Sequence, residues 1–483
     1  MTRATTLTAP RPIAGFDRAG RQWTVDSHAP GLVPLPELTG RLLADAATLA
    51  RYGRDTGNIV TAQPSAVLVP GSVEDVQAMV RYCHQMDIAV TARGEAHSTN
   101  GQSLVAGGLV IDMTALTEVH QITTGWVEAD AGASWRSVAY LAAQRGRRAE
   151  ALPGYLRLTL GGTLSVGGFG AGFRSGGLVD QVLAVEVVTG TGERLWCSAT
   201  LRPDLFDAVL GGLGQCGIIT KVRLRLLPAP ERARSYLLHY VEPGPALNAM
   251  RTLIERDEVD GVFAVVVPPA PASPPLYQVR VQVFHDGIAP EREHTLRGLP
   301  DGVTDPREVD ETYLDHISEF DTLIDDFRER GWDDRIKPRH DVLLPDETVR
   351  EHVGAVVPAL TREEWGPQGF VVLMPYLARS FGCPRLRVPA DTELVWLFDL
   401  LTVAPAQAGR GFTERMLARN RRLWEHARAL GGVRYPLGTT EFGQQEWREH
   451  YGVSWLDVLT AKKRYDPEGI LGTGVGIFGQ QHP

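Results

Sequence analysis

Glycine is crowded into three short stretches of the first half of this chain, residues 94–101, 161–177 and 211–217, each beside an apolar run that reads as a strand. Without a Cβ, successive backbone N–H groups can close on an anion and positive φ becomes accessible, so such turns either cradle a ligand or simply bend a sheet. None of the three fits GxGxxG opening a helix with an acidic residue placed for a ribose, and none fits GxxxxGK[ST]. The spacing therefore argues against the Rossmann and P-loop architectures. On these turns alone, a dinucleotide site and a merely turn-rich sheet remain alternatives.

The segments around the turns define the elements. Ala66–Val69 is a short apolar strand stopped by Pro70-Gly71, and Ser72 with Asp75 has the spacing of a capping box. The following helix places Val76, Met79, Val80, Cys83 and Met86 on one face. A second strand over 88–92 runs directly into Arg93-Gly94-Glu95-Ala96-His97-Ser98. A strand at 126–129 and a helix over 135–145 repeat the pattern, and strands follow at 182–189 and 222–227. Pro228-Ala229-Pro230 marks a boundary, after which strands at 261–267, 277–284 and 371–374 alternate with amphipathic helices, one near 414–430. Residues 1–45 read as an extended arm and Pro268–Pro275 as an exposed connection.

The expected fold is α+β in two domains. The first domain, with the N-terminal arm, occupies 1–230 and is organised from about residue 40; the second covers 231–440, where strands alternate with amphipathic helices; and a closing segment follows at 441–483. A chain of 483 residues is long enough for two cores. The net charge of −9 and the lack of a basic block argue against nucleic acid as a partner. No apolar run suits a signal peptide or a membrane span, so a cytoplasmic protein without a membrane partner is expected. Cys83, Cys197, Cys216 and Cys383 are scattered without a CxxC pair and read as buried thiols, with no metal site.

Four blocks, AVLVPGSVEDVQAMV, TARGEAHSTNGQS, YLRLTLGGTLSVGG and GGLGQCGIITKVRLRLLPAP, resemble consecutive blocks of the vanillyl-alcohol-oxidase (PCMH-type) flavoproteins. Within that superfamily, YLDHISEFDTLIDDFRERG, DVLLP and the closing EWREHYGVSWLDVLTAKKRYDPEGILGTGVGIF are similar to the cytokinin dehydrogenases. The resemblance implies an FAD-binding domain over 1–230 to which 441–483 returns, and a substrate domain over 231–440 with an antiparallel sheet flanked by helices. It implies FAD as cofactor, carried on His97 through the flavin 8α-methyl; a plain surface-loop histidine is the alternative. It implies that Gly94, Ala96 and Ser98 offer N–H groups to the pyrophosphate, with Gln102 nearby. Thr159, Ser165 and Phe169 align with further flavin contacts, Ile219 with a backbone contact at the adenosine end, and Tyr435 with the substrate-domain end. Arg93, Glu95, Gly154 and Gly162 complete the expected site. Residues 158–177 contain no cysteine, so a single covalent link is expected.

The implied activity is that of an oxidase or dehydrogenase. It takes a hydride from a C–H next to nitrogen or oxygen of a small molecule, and O2 or another acceptor reoxidises the flavin. Three departures complicate the transfer. The family carries an aspartate immediately before Tyr-Leu-x-Leu-Thr, and here that position is Gly154. A family Trp-Leu-Asn reads Arg339-His340-Asp341, replacing an aromatic wall by polar groups, and a family glutamine reads Val475. Asp341 and His340 are the candidate replacements for the missing base, either of which is otherwise a turn or surface residue. Arg339 could clamp an anionic substrate or be a solvated surface arginine. Glu150, Asp399 and Glu441 are weaker candidates. Two other activities stay open: cytokinin dehydrogenation proper, and a non-redox cyclisation or rearrangement.

Overall fold

In a computed structural model the protein is described over residues 12–268 and 273–479, so residues 269–272 of the Pro268–Pro275 connection and the first eleven residues of the arm lie outside the described residues. The first half builds three sheets among the described residues. Strands Arg41–Leu43, Ala66–Val69, Leu109–Asp112 and Val90–Arg93 lie in that order, the first pair antiparallel and the others parallel. Helix Val73–Met86 covers them: Val76, Met79, Val80 and Cys83 are fully buried with Ala66, Leu68, Val90 and Ile111. Truncating the larger of these, such as Met79, to alanine costs about 2–5 kcal/mol. Ser72 caps the helix by accepting from Asp75 N, but the expected capping box does not close. The Asp75 carboxylate turns instead to the N–H groups of Thr39, Gly40 and Gly71.

The second sheet is antiparallel. Strands Arg194–Cys197, Val182–Thr189, Gly217–Pro228, Trp126–Asp130 and Val119–Ile122 follow one another, with Arg147–Ala149 also against Gly217–Pro228. The N-terminal stretch is more than an arm: Gly15–Asp17, Gln22–Thr24 and Leu32–Pro34 form a small sheet whose Phe16 N–H donates to Tyr82 Oη.

The fourth sheet draws every described strand from 232–434. Its eight antiparallel members run Arg307–Thr312, Arg232–Tyr240, Leu276–His285, Gly261–Val267, Phe370–Leu377, Leu394–Leu401, His340–Pro345 and Val433–Arg434. Helices Pro243–Arg256, Asp346–Val356 and Arg410–Ala429 bury one face through Leu247, Met250, Val349, Val353 and Trp424. The other face looks toward the first half, where Leu343, Tyr376, Val395 and Leu397 join its core. The molecule is thus an α+β fold of two packed units. The C-terminal segment crosses back: Val90 N donates to Ile470 O, and Lys462 Nζ to Gln215 O. All four cysteines are free thiols; burial raises Cys197, Cys216 and Cys383 to about 12 and Cys83 higher still.

Candidate functional site

A cavity of about 970 Å³ runs between the first-half sheets and the exposed face of the eight-stranded sheet. That is the upper end of the range for ligand clefts, and domain junctions are where such clefts form. The three glycine turns meet on its wall through Gly94, Gly161, Gly162, Gly214 and Gly217. Gly94 is required by closeness: a Cβ there would lie 2.1 Å from Thr159 Oγ1. Thr159 is itself fixed, because its hydroxyl accepts from Gly162 N at the start of helix Leu160–Val166.

The loop after strand Val90–Arg93 is the centre of the site. Ala96 sits at φ +50, a conformation that costs a non-glycine residue about 1–3 kcal/mol and persists only where the surroundings impose it. They do so here. Ala96 O accepts from Thr56 N and Ser98 O from Gly57 N. The buried Asp55 carboxylate collects Ser98 Oγ, Gly101 N and Gly57 N at 3.1, 2.7 and 3.1 Å. With the Ala96 and Ser98 carbonyls committed, the loop leaves the N–H groups of Gly94, Glu95, Ala96 and Ser98 without a protein acceptor among the described residues, and those residues line the cavity. A row of unspent amides beside a cavity suits a diphosphate.

His97 lines the same cavity. Its ring lies between Tyr155 at 5.3 Å and Trp332 at 5.7 Å, and its Nε2 is buried without a hydrogen-bond partner. Burial, reinforced by the charges of Arg339, Lys337 and Arg328, pushes the imidazole down to about 3, so it is neutral at physiological pH. Arg328 Nη1 donates to Tyr155 Oη at 2.6 Å, and Lys337 Nζ lies 4.4 Å from the Trp332 ring. Burial lowers Lys337 to about 7 although Thr56 O and Arg335 O accept from it.

The other cofactor candidates also reach the cavity, some with their side chains spoken for. Arg93 donates to Tyr52 O and Arg54 O, and Gln102 Nε2 to Pro436 O at 3.0 Å, which ties the His97 loop to the far unit. Ser165 Oγ donates to Gly161 O. Phe169 meets the Tyr435 ring at 4.8 Å, and Tyr435 Oη accepts from Gly168 N. Ile219 contributes from strand Gly217–Pro228. Gly154 is exposed to the cavity, and a Cβ there would meet nothing nearer than Phe320 at 3.8 Å.

The paired candidates of 339–341 separate. Side chains of a strand alternate between its faces, and strand His340–Pro345 begins at this point. His340 is turned to the helix-covered face beside Phe398, with both ring nitrogens buried and unpartnered, and it does not line the cavity. Burial holds it well below its usual range. The expectation that His340 belongs to the pocket is corrected accordingly. Asp341 takes the opposite face but lies behind the cavity wall, while Arg339 and Asp399 form the wall itself. Arg339 Nε donates to Asp341 Oδ1 at 2.8 Å and to Asp399 Oδ1 at 2.9 Å, and Nη2 donates to Asp399 Oδ2. Arg339 is neither a surface residue nor a free anion clamp.

The loss of an aromatic wall is also corrected: Phe320 and Phe327 from helix Glu319–Glu329 and Phe370 from its strand supply one. Glu150 is taken by Arg225 at 3.0 Å, and Glu441 is exposed. Asp55, Tyr155 and Trp332 were not among the candidates, since nothing local marks a residue that meets His97 from distant sequence.

Comparison with known proteins finds FAD-binding and cytokinin dehydrogenase relatives. Residues 64–198 match the family described as FAD binding domain, and residues 303–478 match that described as cytokinin dehydrogenase 1, FAD and cytokinin binding. An uncharacterised oxidoreductase of the fasciation locus of Rhodococcoides fascians is 33% identical, over 90% of this chain and 99% of that protein. Cytokinin dehydrogenase 4 of Oryza sativa subsp. japonica is 31% identical, over 88% of each. Among solved structures, 6-hydroxy-D-nicotine oxidase of Arthrobacter nicotinovorans superposes with a TM-score of 0.70 at 20% identity, covering 90% of this chain and 96% of that one.

Proposed function

Because this chain belongs to the cytokinin dehydrogenase family of FAD-dependent oxidoreductases, we propose that it removes a hydride from a C–H next to nitrogen or oxygen of a small organic substrate, with FAD held covalently through His97. FAD, when bound, supplies the two-electron acceptor, and O2 or another acceptor restores it.

The carrying observation is the His97 ring. It lines the cavity in its unprotonated form, the form that can make a carbon–nitrogen bond. Tyr155 and Trp332 hold it from two sides, so little orientational freedom remains to be lost. Gly94 to Ser98 offer the amides for the diphosphate, Asp55 keeps those amides in place, and Phe169 with Tyr435 borders the far end. Phe320, Phe327 and Phe370 exclude water and face a flat or apolar substrate.

The test is acid precipitation of the purified yellow protein. The wild type keeps its colour in the pellet and His97→Ala releases it to the supernatant; acid-stable colour in His97→Ala removes the assignment. Cytokinin dehydrogenation is the second reading, favoured by the aromatic wall and by the named relatives. Gly154 weighs against it, because the family's proton acceptor at that position has no side chain here.

A further inference from the structure

We propose that Asp399 is the proton acceptor of this chain and that Asp341, joined to it through Arg339, is the positioning residue that sets its proton affinity. The proposal rests on the oxidoreductase reading above and names the proton chemistry that reading leaves open.

Asp399 stands directly opposite Asp341 in the ladder between strands Leu394–Leu401 and His340–Pro345. Strand alternation turns Leu397, Asp399 and Leu401 to the cavity together. Asp399 is 4% exposed and forms part of the wall; Asp341 is 2% exposed and lies behind it. The one guanidinium of Arg339 bonds both carboxylates. With both ionised, this buried cluster carries a net charge of −1, which its surroundings cannot solvate. Two carboxylates on adjacent strands disfavour double ionisation, so the pair takes up one proton more readily than an isolated carboxylate, and that proton belongs to the pair.

The local groups agree. Burial raises Asp341 well above the usual carboxylate range and raises Asp399 too, each against the pull of Arg339. Asp341 Oδ2 is buried with no partner, and Gly438 closes on it so tightly that a Cβ there would lie 2.8 Å away. Solvent therefore reaches the pair only through Asp399. The other charged or titratable groups facing the cluster are Tyr435 and Arg434, from the segment beyond, and His97, which feels Arg339 across the cavity.

The step balances as follows. The substrate N–H or O–H bond breaks and its proton forms an O–H bond on the Asp399 carboxylate. The electron pair of the broken bond becomes the second bond of the C=N or C=O product. The C–H electron pair leaves as hydride to the flavin that the family's activity supplies. The cluster passes from −1 to neutral, so a buried charge disappears during the reaction. This places the base on the eight-stranded sheet, opposite the position where Gly154 lacks one.

The primary test is infrared spectroscopy of the flavin-loaded full chain, titrated in H2O and D2O. We expect one carboxylic-acid band, shifted by deuterium, that titrates well above an ordinary carboxyl group, disappears in Asp399→Asn and changes its midpoint in Asp341→Asn. Asp399→Asn keeps Asp341 on Arg339, and Asp399→Glu restores the titration if the fold is intact. A band unchanged by Asp399→Asn overturns the proposal. In anaerobic flavin bleaching by an amine or alcohol, Asp399→Asn lowers the limiting rate by about 10²–10⁴ and removes its pH inflection, while substrate affinity holds; bleaching at the wild-type rate also overturns it. A titrating Asp399 band supports the proton site even where no amine or alcohol bleaches wild-type flavin, an outcome that counts against the redox reading instead.

Discussion

Replacing Gly154 by aspartate asks whether cytokinin oxidation in this cavity lacks only a carboxylate. The backbone permits the change. Gly154 is not among the positive-φ residues, and an added Cβ meets only the Phe320 ring, at 3.8 and 3.9 Å. Substituting glycine at a compatible position stabilises by about 0.4–1 kcal/mol through the unfolded chain, so folding is not the obstacle. The new side chain starts beside the Phe320 ring on the cavity wall, where a bound substrate would desolvate it, raise its proton affinity and suit it to act as a base.

A positioned base contributes about 10²–10⁴ in rate, equivalent to about 2.7–5.5 kcal/mol of barrier. The expected result, with an N6-isoprenoid adenine under anaerobic stopped flow, is a gain of that size in flavin bleaching for Gly154→Asp. The rate should rise with pH as the new carboxyl ionises. Gly154→Asn, matched in shape and without the charge, should show no gain. If Gly154→Asp binds the adenine, as judged by perturbation of the flavin spectrum, yet bleaches no faster than Gly154→Asn, then the missing carboxylate is not what limits this substrate.

Two further predictions concern the scaffold. Asp55→Ala strips the buried Gly101 N of its acceptor and leaves Gly57 N with only its bond to Ser98 O. At about 1–3 kcal/mol for the orphaned Gly101 N the urea midpoint should fall and flavin content with it, less so for Asp55→Asn; an unchanged midpoint and full flavin in Asp55→Ala would show that the loop is held by other means. His352 is fully buried and drops from 6.5 to about 3, by burial first and the His426 charge second. The unfolded chain therefore binds the proton that the folded chain refuses, and stability declines as pH falls below 6.5. The slope should be steeper in the wild type than in His352→Gln by up to about 1.4 kcal/mol per pH unit, read from urea melts at successive pH values; parallel slopes would contradict the assignment.

The glycine turns, the helix over Val73–Met86 and the strands at Val182–Thr189 and Gly261–Val267 were legible because each depends on residues close in sequence: apolar period, caps and backbone freedom. His97 could be named only through the resemblance of its loop to the flavoprotein family, since no local pattern distinguishes it from a surface histidine. The small sheet of residues 15–34 was not legible; its short strands carry little period and are held by pairing with one another and by Tyr82.

The sequence by itself therefore determined the α+β class, the two units and the loop that presents His97. Only the tertiary structure decided what surrounds that loop. Asp55 reaches it from a turn more than forty residues earlier and Trp332 from a helix end in the other unit. The aromatic wall moved from the 339 position to Phe320, Phe327 and Phe370, which keep the cavity lined with rings. Adjacent in sequence, His340 and Asp341 went to opposite sides of one sheet, and Asp341 met Asp399 across a ladder. The physical reason is register. Strand pairing between distant segments fixes which side chains share a face, and a shift of one residue would send His340 to the cavity and Asp341 to the helices.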